Sequence, residues 1–170
     1  MFGTGSWGTA YTSVLAAAGC TVRMWGKFPD EVDDIQRTHT SARYLPDLVL
    51  PESVSATTDP GEALDGARIA VLAVPAQTLR ANLAEWGHLL PDDVIVVSLM
   101  KGLEKTTSLR MSQVIDQACH VPLEQIAVVS GPNIAREIAA REPAATTVAS
   151  KHLPTAHAVA DACHTAYFRP

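Results

Sequence analysis

The sequence predicts an α/β fold in which helices cover both faces of a mainly parallel sheet. Short runs of β-branched and apolar residues alternate along the chain with longer segments of helical character, which is typical of βαβ units. Most of these runs are apolar throughout, as expected for strands that helices cover on both faces. The chain has 170 residues, of which 47% are hydrophobic, so we expect a single globular domain and not a disordered chain.

Six strands and seven helices are predicted from this alternation. The strands are Thr21–Trp25, Val54–Thr57, Ile69–Val74, Val94–Leu99, Ile126–Ser130 and Thr146–Ser150. The helices are Trp7–Ala18, Pro29–His39, Pro60–Leu64, Gln77–Leu89, Thr107–His120, Asn133–Ala140 and Pro154–His164. Gly19 stands where a C-cap glycine ends a helix, and Asp59 precedes a proline as an N-cap residue would. Thr40–Ser53 is the longest irregular segment and is predicted to be a loop beside the sheet.

The two ends of the sequence carry their own expectations. Only Met1 and Phe2 precede Gly3, so we expect the first strand of the sheet to be mostly missing. Tyr167–Pro170 follows a predicted helix and has the composition of the start of another strand. We therefore interpret residues 1–170 as a fragment of a longer protein.

Composition excludes several classes of function. Thirteen Lys and Arg against eighteen Asp and Glu give a net charge of −5, which offers no basic surface to nucleic acid. The longest apolar runs fall far below the ~18 residues that a membrane span needs. Three widely spaced cysteines fit reduced thiols, and six histidines form no metal-binding motif. We expect a cytoplasmic protein with no membrane span, no nucleic-acid partner and no metal.

A glycine motif opens the chain. Gly3-Thr4-Gly5-Ser6-Trp7-Gly8 fits G-x-G-x-x-G, in which the first glycine makes a tight turn, the second lets the backbone approach a pyrophosphate and the third packs helix on strand. A helix and a second strand follow at the spacing of a dinucleotide-binding βαβ unit, and amides at a helix start attract anions. We predict a Rossmann-like dinucleotide-binding domain over residues 1–170, with a plain glycine turn as the alternative.

A basic residue follows the second predicted strand. Dinucleotide folds specific for NAD usually place an acid about 20 residues past the glycines, whereas a basic residue there accommodates the 2′-phosphate of NADP. Here Lys27 and Phe28 follow the strand, and no acid occurs before Asp30. The cofactor is therefore predicted to be NADP or NAD, with NADPH favoured. An ordinary surface lysine is the alternative.

Two further turns lie at the predicted carboxyl edge of the sheet, where ligands bind in such folds. Lys101 follows a buried strand and precedes a glycine, which would point its ammonium group toward a phosphate or a polarised carbonyl. Gly131 would let a ligand approach the backbone before the next helix, whose free amides form an anion site. Asn133 is expected either to cap that helix or to offer its amide to substrate oxygens.

Several motifs then coincide in chain order: GTGSWGTA (3–10), RMWGK (23–27), YLPD (44–47), TTD (57–59), AVP (73–75), MKG (100–102), SGPNIAREIA (130–139) and YFR (167–169). Over essentially the whole chain, this set resembles the amino-terminal half of the NAD(P)-dependent sn-glycerol-3-phosphate dehydrogenase family. The resemblance implies reversible hydride transfer between NAD(P)H and dihydroxyacetone phosphate, giving sn-glycerol 3-phosphate for glycerophospholipid synthesis in the cytoplasm.

The resemblance also implies roles for single residues at the carboxyl edge. By motif position, the cofactor-binding residues besides the glycines are Ser6, Trp7, Lys27, Phe28, Lys101 and Ala135. Contacts with the substrate are implied for Lys101, Gly131 and Asn133.

The same resemblance implies parts of the enzyme that this chain lacks. The family's general acid/base is a lysine in a carboxyl-terminal helical domain, which also supplies most substrate contacts and the surface of a homodimer. Because general acid catalysis contributes roughly 10²–10⁴-fold, we expect the 170 residues alone to bind a dinucleotide weakly and not to turn over. The alternatives are a related reductase of the 3-hydroxy acid or ketopantoate type, and a non-catalytic dinucleotide-binding module.

Overall fold

The computed structural model describes all residues from 1 to 170 as an α/β fold of ten strands and seven α-helices. The strands are β1 Val22–Trp25, β2 Thr40–Ser41, β3 Leu45–Val49, β4 Val54–Thr57, β5 Ile69–Leu72, β6 Ile95–Ser98, β7 Ile126–Ser130, β8 Ala144–Ala145, β9 Thr147–Ser150 and β10 Phe168–Arg169. The helices are α1 Ser6–Ala17, α2 Pro29–Thr38, α3 Pro60–Leu64, α4 Leu79–Trp86, α5 Met111–Cys119, α6 Ala135–Ala139 and α7 Leu153–Cys163. None of these helices has the length and apolar character needed to cross a membrane.

The central sheet is mainly parallel, as predicted. β1 pairs with β4, and β5, β6 and β7 pair in succession, all in parallel. β9 closes one edge and runs antiparallel to β7. Phe2 makes parallel bridges to Trp25 of β1 and Leu72 of β5, so the spatial order is β4, β1, Phe2, β5, β6, β7 and β9. This is the order of a doubly wound sheet, in which the order of the strands reverses at Phe2.

The first strand of the sheet is reduced to the segment around Phe2. On one side the Phe2 N–H donates to the Val71 carbonyl at 2.7 Å, and the Phe2 carbonyl accepts from the Ala73 N–H at 2.8 Å. On the other side the Gly3 N–H donates to the Trp25 carbonyl at 2.9 Å. The Phe2 side chain is only 1% exposed. These few contacts join the two halves of the sheet.

Side chains alternate between two hydrophobic clusters, one on each face of the sheet. Val71 and Val97 belong to the cluster that packs against α1, α2, α6 and α7. Their chain neighbours Leu72 and Val96 belong to the cluster that packs against α3, α4 and α5. This alternation follows from the two-residue period of a strand and explains why the strands are apolar throughout.

The predicted helix boundaries at Gly19 and Asp59 are confirmed. Gly19 follows α1 with a φ of 93°, and the first N–H groups after α1 bond to carbonyls of its last turn, as in a Schellman motif. Asp59 Oδ1 accepts hydrogen bonds from the N–H groups of Gly61 at 2.7 Å and Glu62 at 3.3 Å. Both signals therefore act through the local backbone, as predicted.

Two predictions about local structure were wrong. Thr40–Ser53 is not a loop throughout, because β2 and β3 form an antiparallel pair within it. Leu45 of β3 is buried in the core, which holds this pair against the sheet. The helix predicted from Thr107 begins only at Met111, since the chain turns at Ser108, whose φ is 60° and whose N–H bonds back to an earlier carbonyl.

The last residues form a strand, as their composition predicts. Phe168 and Arg169 make up β10, which pairs in parallel with β8. The Phe168 side chain is fully buried and packs edge-on against Tyr11 of α1, with ring centroids 5.9 Å apart. This end of the chain is therefore part of the packed core.

Candidate functional site

A cavity of about 860 Å³ opens at the carboxyl edge of the sheet, across the point where the strand order reverses. Ligands of doubly wound folds bind at this place, because the loops on either side of the reversal point separate there and leave a crevice. The walls come from the loops after Phe2, β1, β5, β6 and β7. The lining residues are Gly3, Thr4, Gly5, Ser6, Trp7, Trp25, Lys27, Phe28, Glu31, Tyr44, Ala73, Val74, Pro75, Ala76, Thr78, Asn82, Leu99, Met100, Lys101 and Asn133.

The three motif glycines have different surroundings. Gly3 has a φ of 119°, and a Cβ there would lie 2.7 Å from the Ala73 carbonyl oxygen. A Cβ on Gly8 would lie 2.3 Å from the Gly3 carbonyl oxygen. A Cβ on Gly5 would meet no atom within 4 Å. Gly3 and Gly8 therefore permit close packing of the loop, whereas Gly5 leaves open space on the cavity side.

The start of α1 faces the cavity. Ser6 and Trp7 line it, and α1 has no side-chain cap and no acidic residue in its first turn. The indole Nε1 of Trp7 is buried and has no hydrogen-bond partner. Uncapped amides and the helix dipole at this end attract a negatively charged group. The glycine loop can therefore hold an anion such as a phosphate.

Lys27 and Phe28 form the wall that follows β1. Both side chains are exposed, Phe28 by 58%. The Lys27 ammonium makes no hydrogen bond and no ion pair within the chain, so its charge is available to a ligand. An exposed aromatic ring beside a free cation can contact a flat heterocycle and an adjoining phosphate together.

A carboxylate lies in the same cavity and was missed in the sequence. Glu31 in the first turn of α2 accepts hydrogen bonds from Thr4 Oγ1 at 2.8 Å and Arg43 Nη1 at 2.8 Å. The Tyr44 hydroxyl donates to the same carboxylate at 3.4 Å. Glu31 stands 23 residues after Gly8, which is close to the usual spacing for an acid that contacts a ribose. Asp30, the first acid after Lys27 in the sequence, is exposed and does not line the cavity.

Lys101 and Gly131 are brought together across the cavity floor. The Lys101 ammonium donates to the Gly131 carbonyl oxygen at 3.0 Å. Lys101 also lines the cavity, and Gly102 after it has a φ of 95°. The ammonium retains two further donors for a phosphate or carbonyl oxygen.

Asn133 lines the cavity but does not cap α6, so the capping alternative was wrong. The N-cap residue is Ile134, and α6 has no side-chain cap. The Asn133 amide instead donates to the Ala145 carbonyl at 2.9 Å, and its Oδ1 accepts from Thr146 Oγ1 at 3.0 Å. One amide hydrogen is left for a ligand.

The loop that carries Lys101 is fixed by a charge pair. Glu104 is only 8% exposed, and its oxygens accept hydrogen bonds from Arg80 Nε at 2.8 Å and Nη2 at 2.9 Å. The Thr107 hydroxyl donates to the same carboxylate. The Arg80 guanidinium, aided by Thr107, lowers the pKa of Glu104 to about 2. This two-pronged pair attaches the loop after β6 to α4.

The structure thus brings most of the predicted site residues into one cavity. Those that line it are Gly3, Gly5, Ser6, Trp7, Lys27, Phe28, Lys101 and Asn133. Gly8 does not line the cavity and packs against Gly3 behind the glycine loop. Gly131 does not line it either, but its carbonyl oxygen accepts a hydrogen bond from Lys101, which does. Ala135 is the first residue of α6, half-buried and outside the lining. Tyr44 belongs to the YLPD motif, whereas spacing does not distinguish Glu31 from its neighbour Asp30.

Comparison with known proteins identifies relatives over the whole chain. The family model described as the NAD-dependent glycerol-3-phosphate dehydrogenase N-terminus matches residues 1–156. The glycerol-3-phosphate dehydrogenase [NAD(P)+] of Streptomyces griseus is 55% identical over 170 residues, which are all of this chain and 51% of that protein. The protein of the same name from Corynebacterium kroppenstedtii is 51% identical over the same shares. The chain spans about half the length of these relatives.

A solved structure has the same fold. The crystal structure of glycerol-3-phosphate dehydrogenase from Coxiella burnetii superposes with a TM-score of 0.91 and 32% identity, covering 99% of this chain and 51% of that one. This superposition and the match of the family model show that the chain belongs to the NAD-dependent glycerol-3-phosphate dehydrogenase family and corresponds to the amino-terminal part of its members.

Proposed function

We propose that this chain binds NAD or NADP in the cavity, as the dinucleotide-binding half of a glycerol-3-phosphate dehydrogenase. The observation that carries the proposal is the glycine loop opening onto an 860 Å³ cavity at the reversal point of the sheet. That position, an uncapped helix start and a backbone with space at Gly5 fit a pyrophosphate. Bound there, the nicotinamide ring supplies or accepts a hydride.

The cavity residues take separate roles in this proposal. Gly3 and Gly8 shape the loop, Gly5 lets the pyrophosphate approach, and Ser6 and Trp7 contact it. The adenosine end lies against Lys27 and Phe28, and the free ammonium of Lys27 favours NADPH by attracting the 2′-phosphate.

The substrate side of the cavity is formed by the segments after β6 and β7. We assign Lys101 to both ligands, because its ammonium lines the cavity and reaches the Gly131 carbonyl. Gly131 and the remaining amide hydrogen of Asn133 face the phosphate or hydroxyl oxygens of dihydroxyacetone phosphate or sn-glycerol 3-phosphate. Ala135, the first residue of α6, is assigned to the cofactor from the resemblance, since it lies outside the cavity lining.

The chain alone is not expected to turn over. Reduction of a ketone needs a proton at the developing alkoxide, and we assign the cationic lysines of the cavity to binding and not to proton transfer. We assign the general acid and the homodimer surface, which the resemblance implies for a carboxyl-terminal domain, to the half of the related enzymes that this chain does not cover. The complete enzyme would then supply glycerophospholipid synthesis in the cytoplasm.

Calorimetric titration with NADPH and NADH tests the proposal. Weak binding of NADPH to the 170-residue chain, with a Kd in the micromolar range, is expected. The Lys27→Gln variant should lose about tenfold in NADPH affinity and little in NADH affinity, since one charge on the 2′-phosphate loses its partner. Lys151→Gln is the matched control, because Lys151 is exposed and lies outside the cavity. Absence of heat with either cofactor would contradict cofactor binding. Turnover of dihydroxyacetone phosphate by this chain would contradict the assignment of the proton donor.

A further inference from the structure

Glu31 is the single acidic side chain among the residues that line the cavity. It lies on α2, whereas its hydrogen-bond donors come from the glycine loop and from the segment before β3. Thr4 Oγ1 donates to Oε2 at 2.8 Å, and Arg43 Nη1 donates to Oε1 at 2.8 Å. The Glu31 side chain is 14% exposed. The carboxylate is therefore held in place from two sides while it still faces the cavity.

The charge of Glu31 is only partly compensated. Its one cationic partner is Arg43, whose side chain is 70% exposed and therefore well hydrated. Oε1 accepts two hydrogen bonds, whereas Oε2 accepts one. Since each carboxylate oxygen can accept about two hydrogen bonds, Oε2 keeps one acceptor position. Glu31 thus offers an anionic acceptor to a hydroxyl group inside the cavity.

The two cofactors differ in the group that such a carboxylate meets. The 2′-hydroxyl of NADH can donate a hydrogen bond to it, whereas the 2′-phosphate of NADPH is an anion that it repels. Lys27 on the same cavity acts in the opposite direction, because its free ammonium attracts the phosphate. The two side chains therefore oppose each other in the choice of cofactor.

We propose that Glu31 is a specificity-determining residue that accepts a hydroxyl of the adenosine ribose and maintains NADH binding against the preference set by Lys27. The inference rests on the proposed function, because it concerns the ribose of the dinucleotide. Arg43 moderates the effect of Glu31 by neutralising part of its charge. Lys27, which favours NADPH, and Glu31, which favours NADH, together give the cavity an affinity for both cofactors.

The ratio of NADPH affinity to NADH affinity tests this role, measured by calorimetry on the full chain. Glu31→Gln should raise the ratio about tenfold, because the repulsion of the phosphate disappears and the ribose hydroxyl loses a charged acceptor. Asp30→Asn is the matched control: it removes the same charge from the same helical turn, but Asp30 is exposed and outside the cavity lining. The control should leave the ratio unchanged.

Arg43→Gln should shift the ratio the other way, toward NADH, because it leaves the charge of Glu31 uncompensated. This side chain is exposed, so its replacement leaves the packing of the core intact. Arg37→Gln, at the exposed end of α2, is the control for the loss of a positive charge. A loosened glycine loop would weaken the binding of both cofactors equally and leave the affinity ratio unchanged. A change in the ratio therefore reports specificity.

The failure of this inference can be told apart from the failure of the proposed function. A wild-type chain that binds neither cofactor overturns both. If the wild-type chain binds a cofactor but Glu31→Gln leaves the ratio of NADPH to NADH affinity unchanged, only the role of Glu31 is overturned. The same holds if Asp30→Asn shifts this ratio as much as Glu31→Gln does. An Arg43→Gln variant that moves the ratio toward NADPH also overturns it.

Discussion

Replacing Gly5 and Gly8 one at a time by alanine separates ligand approach from packing in the glycine loop. A Cβ on Gly8 would lie 2.3 Å from the Gly3 carbonyl oxygen, which is backbone and cannot rotate away. Forced overpacking costs about 3 kcal/mol at the upper end of the usual range. Alanine gains about 1 kcal/mol over glycine inside a helix. We therefore expect Gly8→Ala to lose about 2 kcal/mol of unfolding free energy, the difference between these two effects.

Gly5→Ala should behave differently, because a Cβ there meets nothing within 4 Å and the φ of −69° suits alanine. Alanine is a poorer N-cap than glycine, but it also restricts the unfolded chain, so the net change stays within about 1 kcal/mol. The added methyl group occupies the space that a pyrophosphate needs beside the backbone. NADPH affinity should therefore fall at least about tenfold without a matching loss of stability.

Urea denaturation followed by the fluorescence of the three tryptophans measures the stability of both variants. For a chain of this length, a loss of ~2 kcal/mol corresponds to a melting temperature lower by about 4–8 °C. Calorimetry measures the affinity for NADPH in the same buffer. Equal destabilisation by the two substitutions, or a Gly8→Ala chain as stable as the wild type, would refute the assigned roles.

Three further predictions concern other parts of the chain. Glu104→Gln should lower the free energy of unfolding at pH 7. Because the folded pKa of about 2 lies below the unfolded value of 4.5, the difference from wild type should shrink as the pH falls from about 4.5 to about 2. Asp59→Ala should cost about 1 kcal/mol of unfolding free energy through the lost cap of α3, with the exposed Asp47→Ala as control. Burial raises the pKa of Cys119 to about 11, so its alkylation at pH 8 should be about a hundredfold slower than in the urea-unfolded chain.

Each of these predictions has an outcome that contradicts it. A Glu104→Gln effect that stays constant down to pH 2 would show that charge is not what holds the loop. Equal losses in Asp59→Ala and Asp47→Ala would remove the capping explanation. Alkylation of Cys119 in the folded chain at the unfolded rate, measured by mass spectrometry, would show that its thiol is not shielded by burial.

The sequence was sufficient to predict the parallel strands and the position of the cavity. These features depend on short-range patterns, namely apolar runs of strand length and glycines at fixed spacing. Lys27 and Lys101 each follow such a run, Gly3 follows the short segment at Phe2, and the carboxyl ends of parallel strands meet at one edge of the sheet. Their convergence on one cavity therefore follows from the topology alone.

Features that depend on distant partners could not be predicted in this way. The Glu31 carboxylate is held by Thr4, 27 residues earlier, and by Arg43, 12 residues later. No local pattern shows that these three side chains meet. The role of Asn133 was missed for a similar reason, since its partners at Ala145 and Thr146 belong to another segment.

The direction of β9 and the pairing of β2 with β3 also depend on partners that no local pattern identifies. A strand's composition indicates burial, but it does not indicate the direction in which the chain returns to the sheet. β9 returns antiparallel to β7 after the α6 segment. In the segment predicted as a loop, Pro46 and Pro51 suggested irregular structure. Pro46 nevertheless lies in β3, where it is exposed and where only the two residues of β2 pair with the strand. Proline is tolerated at such edges.

The bridging segment at Phe2 has a consequence for how the domain opens. β4 and β1 pair on one side of Phe2, and β5, β6, β7 and β9 form the sheet on its other side. Only a few backbone hydrogen bonds around Phe2 join these two parts of the sheet. Local unfolding there would let the two halves fluctuate independently while each stays folded. A ligand that lies across the reversal point contacts both halves and ties them into one cooperative unit. We therefore expect amide protons of Phe2, Gly3 and Ala73 to exchange fastest among the sheet amides in the free chain, and to gain the most protection when the cavity is filled.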